Sequence, residues 1–292
     1  MDNMGNNTQV RVLLWCVPRS CSTAFMRVME NCKPGKVKVL DELYYKSYYL
    51  SEERRSERYY NTKNHKGTVC GFKKDQLSYA SRLSLYNESY TDYDIVFGKE
   101  MSLFLEDKLD NDAYVPRGYQ HTFLIRHPEK TIPSLYKCFL RSDSTSIEDI
   151  TAVAPEGKYM YQTAHDLFHQ LKAKGDTPIV IDTEDLLRNP IGAFQAYCNA
   201  TKLPFRREML NWEEGKVKNK WFEYPEWYGA LIHSKCFGQI QTENKESLYT
   251  SNNNSNVKLQ EEMDRIHDMI KLQIANNLPL YEDLYKYRIR MS

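Results

Sequence analysis

Arginine and hydroxyl residues crowd into one short stretch, "CVPRSCSTAF" at residues 16–25, set between the apolar run Val12-Leu13-Leu14-Trp15 and the helical pattern Met26-Arg27-Val28-Met29. A strand that breaks into such a loop and resumes as a helix offers unpaired backbone N–H groups and the positive end of a helix dipole, which attract an anion such as phosphate. Arg19 adds a fixed positive charge, and Ser20, Ser22 and Thr23 add hydroxyl donors. The glycines and lysine of GxxxxGK[ST] are absent, so the loop cannot wrap a triphosphate closely, and no partner carboxylate for magnesium stands out. Read alone, the stretch also allows a plainer account, in which Ser22 caps a helix and Arg19 lies on the surface.

A second stretch, "FLIRHPEKTIPSLYKC", repeats the theme. An apolar strand at 122–125 ends in Arg126, and Ser134 follows eight positions later. Proline is tolerated in a helix's first turn, so with Pro133 there, Thr131 is expected to cap a helix that starts just before Ser134. Ser134 then sits at another anion-attracting helix end. An arginine at a strand's carboxyl end and a serine at a helix start, in the same sheet as the first loop, suit a ligand with two separated phosphates.

The elements that must position these residues follow from hydrophobic patterning. β-Rich runs at 10–16, 37–40, 94–98, 122–125 and 178–181 alternate with helical segments at 22–31, 158–173 and 191–201, the last announced by Asn189-Pro190. Leu259, Met263, Ile266 and Ile270 step by four, three and four, which predicts an amphipathic helix over 257–276 packed on the sheet. The class is α/β, with a central parallel sheet covered by helices in a three-layer α/β/α arrangement. Two stretches break the alternation: 51–93, polar and tyrosine-rich, and 211–256, with aromatics, lysines and SNNNSN. They are expected to be lid or substrate segments of one domain spanning residues 1–292.

Composition bounds the function. The chain has 292 residues, 41% hydrophobic and 27% charged, which suits a globular protein with a substantial core. A net charge of +1, from 40 basic and 39 acidic residues, argues against a nucleic-acid-binding surface and confines any anion site to a local pocket. The seven cysteines are scattered without CxxC pairs and read as thiols of a reducing compartment. The N-terminal apolar run is far shorter than the roughly 20 residues that span a bilayer; the expectation is a cytoplasmic protein without membrane contact. His165 and His169 stand four apart on an expected helix, as zinc ligands can, but no third ligand follows at a useful spacing and no metal is expected.

Taken together, "PRSCST" and Arg126…Ser134 resemble the two donor motifs of the sulfotransferases that use 3'-phosphoadenosine 5'-phosphosulfate (PAPS). In that superfamily a strand–loop–helix of the form PRSxST or PKSGTT binds the 5'-phosphosulfate, and an arginine and a serine eight apart bind the 3'-phosphate. The ordered set "STAFMRVMEN", "VLDELYY", "GKEMS", "RHP", "DTEDLLRNP" and "EWYGALIHSKCFG" is similar to a branch of bacterial and invertebrate sulfotransferase-like proteins, some with aminotransferase-like names. The resemblance implies a P-loop-like fold, PAPS as donor, adenosine 3',5'-bisphosphate (PAP) as product and no metal. It implies donor binding by Arg19, Ser20, Cys21, Ser22, Thr23, Ala24, Arg126 and Ser134. The chain departs from many relatives at Leu43, where they have proline, at Glu100, where they have histidine, and at Lys235-Cys236, where they have Thr-Gly.

Sulfuryl transfer needs an in-line acceptor, charge stabilisation and a base. On this resemblance Arg19 stabilises charge on the leaving group, Lys99 contacts the sulfuryl oxygens, and Glu42, just past the second strand, is the base. Glu100 is the rival base, and Asp41 is read as structural. Tyr44, Tyr45, Tyr48 and Tyr49 either line an acceptor pocket or pack, and Lys216, Lys218 and Lys220 beside Trp221 form a solvated basic loop. The expected reaction sulfates a hydroxyl or amine of a small-molecule acceptor, with no nucleic-acid partner and with homodimerisation left open. The rival readings are a P-loop kinase or nucleotide hydrolase, and a non-catalytic protein that binds PAPS or PAP.

Overall fold

A computed structural model describes residues 9–56, 74–110, 112–141, 160–215, 225–238 and 257–291. Five strands, β1 Val10–Cys16, β2 Val37–Asp41, β3 Ile95–Met101, β4 Gln120–Ile125 and β5 Ile179–Asp182, form one sheet in the order β2-β3-β1-β4-β5. Every neighbouring pair is parallel. Side chains of a strand alternate between the two faces of its sheet. Leu13, Trp15, Val96, Phe123 and Val180 therefore enter one core, and Val12, Leu14, Phe97, Leu124 and Ile181 enter the other. Burial on both faces explains why these strands read as continuous apolar runs rather than alternating ones.

The helices are α1 Ser22–Glu30, α2 Tyr45–Leu50, α3 Tyr79–Asn87, α4 Pro128–Arg141, α5 Gln162–Ala173, α6 Thr183–Arg188, α7 Pro190–Thr201, α8 Pro225–Ile232 and α9 Val257–Lys286. On one face α4, α5 and α9 contribute Ile132, Leu135, Leu167, Phe168, Ile266, Ile270 and Leu284. On the other, α1 and α7 contribute Phe25, Met29, Phe194 and Tyr197. The chain is thus the expected α/β/α layering, with all five anticipated strands in a parallel sheet.

Three boundaries differ from expectation, each for a physical reason. β3 does not stop at Gly98, because its ladder continues on both sides, with Asp41 beside Lys99 and Cys16 beside Met101. Lys99 and Glu100 are consequently strand residues facing opposite layers. Next, α4 begins at Pro128 rather than just before Ser134, so Thr131 is no cap and Ser134 lies in the second turn instead of at the helix end. Pro128 takes the first helical position, where proline costs no hydrogen bond, and His127 Nδ1 accepts from the Glu129 amide at 3.3 Å. Pro133 is accommodated inside the helix because the carbonyl it leaves unmatched belongs to exposed Glu129. Finally, α9 runs on to Lys286 through Pro279, whose missing N–H faces the carbonyl of exposed Ala275.

Parts of the anticipated lid segments fall at 57–73, 216–224 and 239–256, together with Cys70, Lys216, Lys218, Lys220 and Trp221, and lie outside the described residues. The described parts hold α3 and α8, with Tyr79 and Tyr86 fully buried. Among the described residues no two cysteines form a disulfide, and no helix is long and apolar enough to cross a membrane.

Candidate active site

The connection after β1 leads toward β2 on one side, and that after β4 leads to β5 on the other. The carboxyl ends of β1 and β4 therefore flank the point where strand order reverses, the place where open α/β sheets bind ligands. Residues 17–21 leave β1 there, and Arg126 leaves β4.

The loop's backbone is unusual. Arg19 and Cys21 both have positive φ, 63° and 61°, which L-residues adopt at a cost of order 1 kcal/mol or more. Ser20 turns inward between them, fully buried, its hydroxyl donating to Val17 O at 2.7 Å while its own carbonyl accepts from Thr183 Oγ1 at 2.9 Å. Cys21 occupies the N-cap of α1 without any side-chain cap, and the first turn carries no acidic residue. By contrast α3, α6 and α7 are capped by Ser78, Asp182 and Asn189. The positive end of α1 is thus left without a side chain to neutralise it. Ser22 and Ala24 are buried and Thr23 is half-buried in that turn.

The two arginines meet across the crevice. Arg126 Nη1 donates to Arg19 O at 3.1 Å, and Arg126 Nε pairs with Glu184 Oε1 at 2.9 Å, from α6. Arg19 Nε donates to Ser134 Oγ at 3.0 Å, and its Nη1 to Trp227 O at 3.1 Å. Residues read from two separate sequence stretches are therefore contiguous at the carboxyl ends of β1 and β4.

On the other side of β1, Lys99 is 1% exposed, its Nζ lying 3.0 Å from Asp41 Oδ1 and hydrogen-bonding Glu42 Oε1. Burial works against the charged lysine, but Asp41 and Glu42 overcome it and hold the ammonium well above its usual range. Glu42 takes a positive φ of 47° while its amide still bonds Lys99 O at 2.8 Å, which turns its side chain out of the β2 edge toward Lys99. Tyr228 of α8 shares this environment. Its phenol is pushed up by burial and then by Glu42 and Asp41, with Lys99 and Arg19 opposing.

Glu100 is elsewhere. It is fully buried on the opposite face, accepting from Tyr44 N at 2.9 Å, Tyr86 OH at 2.8 Å and Met101 N at 3.1 Å. Burial pushes its carboxyl up to about 8, against the hydrogen bonds that favour the ionised form. Tyr44 and Tyr48 are core residues whose hydroxyls reach Tyr114 O and Glu106 Oε1, while Tyr45 is partly buried against the same cluster. The structure thus brings together Arg19, Ser134, Arg126 and the residues 20–24, sets Glu42 and Lys99 beside them near Tyr228, and separates off Glu100, Tyr44 and Tyr48.

Comparison with known proteins fixes the family. The "Sulfotransferase domain" family profile matches residues 10–246. The chain belongs to the sulfotransferase family. Two solved sulfotransferase domains share its fold: that of the Synechococcus PCC 7002 olefin synthase, with TM-score 0.52, 16% identity, and coverage of 97% of this chain and 96% of that one; and that of the curacin biosynthetic pathway, with TM-score 0.50, 15% identity, and coverage of 90% and 98%. Among curated proteins, this sulfotransferase-family chain is 24% identical over 241 residues to "Branched-chain-amino-acid aminotransferase-like protein 2" of Arabidopsis thaliana, covering 78% of the chain and 36% of that protein. Protein 1 of the same name and plant is 23% identical over 233 residues, with 76% and 36% coverage. The sulfotransferase-family chain thus spans about a third of the length of these curated relatives.

Arg19, Glu42, Lys99, Arg126 and Ser134 are legible as site residues in the sequence, whereas Trp227, Tyr228 and Glu184 carry no recognisable role there. All three lie within stretches quoted for the resemblance, "EWYGALIHSKCFG" and "DTEDLLRNP". Their chemistry is invisible until the fold carries α8 and α6 to the carboxyl ends of the strands.

Proposed function

We propose that the protein transfers a sulfuryl group from PAPS to a hydroxyl or amine of a small-molecule acceptor, with Glu42 as base. The observation that carries this reading is the joining of Arg19 to Ser134 and of Arg126 to the Arg19 carbonyl beside an uncapped helix start. That is a cationic cradle without a counter-charge in its helix turn. These residues fit a bisphosphorylated donor: the first turn of α1 and Arg19 at the phosphosulfate end, Arg126 and Ser134 at the 3'-phosphate. PAPS supplies an activated sulfuryl group on a phosphate leaving group.

The chain's own groups do the rest. Lysine carries three N–H donors, and Lys99 directs two of them at Asp41 and Glu42, which leaves a third for sulfuryl oxygens. Arg19 offsets negative charge on the departing phosphate from a position already held by Trp227 and Ser134. Glu42, 20% exposed at its side chain, is open to solvent on one side and accepts the acceptor's proton. Glu100, on the opposite face with both carboxylate oxygens engaged by Tyr44 N, Tyr86 OH and Met101 N, keeps a structural role.

The test is a thermal-shift titration in chelator with PAP and, in parallel, ATP. PAP at 100 times its dissociation constant stabilises the native state by about 2.7 kcal/mol, and Arg126→Ala abolishes the shift at that concentration. Glu42→Gln keeps the PAP shift while lowering sulfated-product formation by about 10²- to 10⁴-fold. Selective stabilisation by ATP, with magnesium-dependent turnover indifferent to Arg126→Ala, would replace this reading with a kinase or hydrolase. PAP binding with no sulfated product across a broad acceptor set would make it a donor-binding protein.

A further inference from the structure

On the outer surface of the α4/α5/α9 layer, three ligand-type side chains converge that the proposed sulfuryl transfer does not use. α5 presents His165 and His169 one turn apart, with ring centroids 4.4 Å from each other. From sequence this pair lacks a partner, but the fold lays the last turn of α9 across it and supplies Asp283. Its Oδ2 lies 3.3 Å from His165 Nε2 and 2.7 Å from His169 Nε2, and the three ligand atoms all fall within 4.8 Å of one another. We propose that His165, His169 and Asp283 form a binding site for a divalent transition-metal ion of the Zn²⁺ type, clipping α5 to α9.

The spacing suits the ion. Zn–N and Zn–O bonds of about 2.0–2.2 Å in a tetrahedron hold ligand atoms about 3.3–3.5 Å apart, which these side chains reach by small rotations. The supporting contacts match what a metal site needs. His165 Nδ1 lies 3.2 Å from Asp166 Oδ1, itself fixed by Gln162 Nε2 at 2.8 Å, so a carboxylate orients the ring with Nε2 facing inward. Lys286 Nζ holds the other oxygen of Asp283 at 3.2 Å and leaves Oδ2 to face the histidines. Phe168 and Tyr287 wall the His169 ring at 5.2 and 6.0 Å.

Two imidazoles aimed at one carboxylate oxygen exceed what a hydrogen bond requires, whereas a cation uses both lone pairs. Ligation requires an unprotonated Nε2, so the hydrogen shared between His169 Nε2 and Asp283 Oδ2 is displaced to Nδ1 or to water and the ion takes its place. The three side chains are 24%, 38% and 29% exposed, so the fourth coordination position opens to water and ions enter directly from solvent. Two histidines and one carboxylate with an open position favour a borderline ion such as Zn²⁺ or Co²⁺ over Mg²⁺ or Ca²⁺.

The experiment uses the full chain, stripped with chelator and dialysed, titrated with Co²⁺ and then Zn²⁺. One equivalent of Co²⁺ is expected to give tetrahedral-type visible absorption that Zn²⁺ bleaches, and Zn²⁺ at about 100 times its dissociation constant raises the unfolding midpoint by on the order of 5 °C. His169→Ala and Asp283→Asn lose the absorption, Asp166→Asn weakens binding by about 10- to 100-fold, and His233→Ala leaves it intact. Metal-free unfolding curves establish that each variant folds, and His165→Gln replaces any that does not. Absence of saturable Co²⁺ or Zn²⁺ binding, or binding undiminished in both His169→Ala and Asp283→Asn, would overturn the site.

Discussion

Lys99 and Glu100 are neighbours in sequence with opposite fates, because a strand sends consecutive side chains to opposite faces. Lys99 lies against two carboxylates, and Glu100 enters a cluster of tyrosines. From sequence both were legible as charged residues near a strand end, but their separation was not, since it depends on β3 continuing to Met101. The separation has a pH signature. Glu100 titrates near 8 in the folded chain against an ordinary value of 4.5, so the folded state favours the protonated carboxyl. Its contribution to stability is complete below about pH 4.5 and is lost as pH rises through 8. Asp182, pushed to about 6 chiefly by burial, has the same sign over a lower window. Glu100→Gln should therefore gain stability relative to wild type between pH 5 and 8.5, by a few kcal/mol at most. Urea unfolding midpoints measured across that range check it, and parallel curves for the two proteins would contradict it.

Among the elements, the strands were the easiest to read, because each buries both faces and leaves a continuous apolar run. α4 is harder to place, because it carries two prolines and the one that starts it is Pro128 rather than Pro133. α8 opens on Pro225 as α4 opens on Pro128, but the aromatics around it obscure the helical pattern, and Pro279 hides the C-terminal extent of α9. A single position ties β3 to its surroundings. A Cβ built on Gly98 would lie 2.6 Å from Leu13 Cδ1 and 3.2 Å from Tyr86 Cε1, so a side chain there must displace the end of Leu13 and press on the Tyr86 ring. Gly98→Ala is expected to cost about 1–3 kcal/mol through overpacking. Adding Leu13→Ala should recover part of that loss, a coupling that a double-mutant cycle in denaturant reads directly.

At the scale of the whole molecule, α/β layering was legible and its closure was not. The family match ends at residue 246, yet α9 beyond it buries Ile266, Ile270, Tyr281 and Leu284 in the first core. Each such side chain contributes about 1.5–3 kcal/mol, and together they rival the roughly 5–15 kcal/mol by which domains are stable. A chain ending at residue 256 should lose its cooperative unfolding transition, followed by tryptophan fluorescence; a near-wild-type midpoint would show that α9 is dispensable. Tyr281 also donates to Asp182 at 3.1 Å and stacks edge-on with His127 at 5.1 Å, so α9 reaches the turns that present Arg126. During translation all five strands emerge from the ribosome before this helix does. At about 5–20 residues per second, the nascent domain waits seconds with the strip of its first core that this helix covers still bare, a window in which that apolar strip is open to wrong partners.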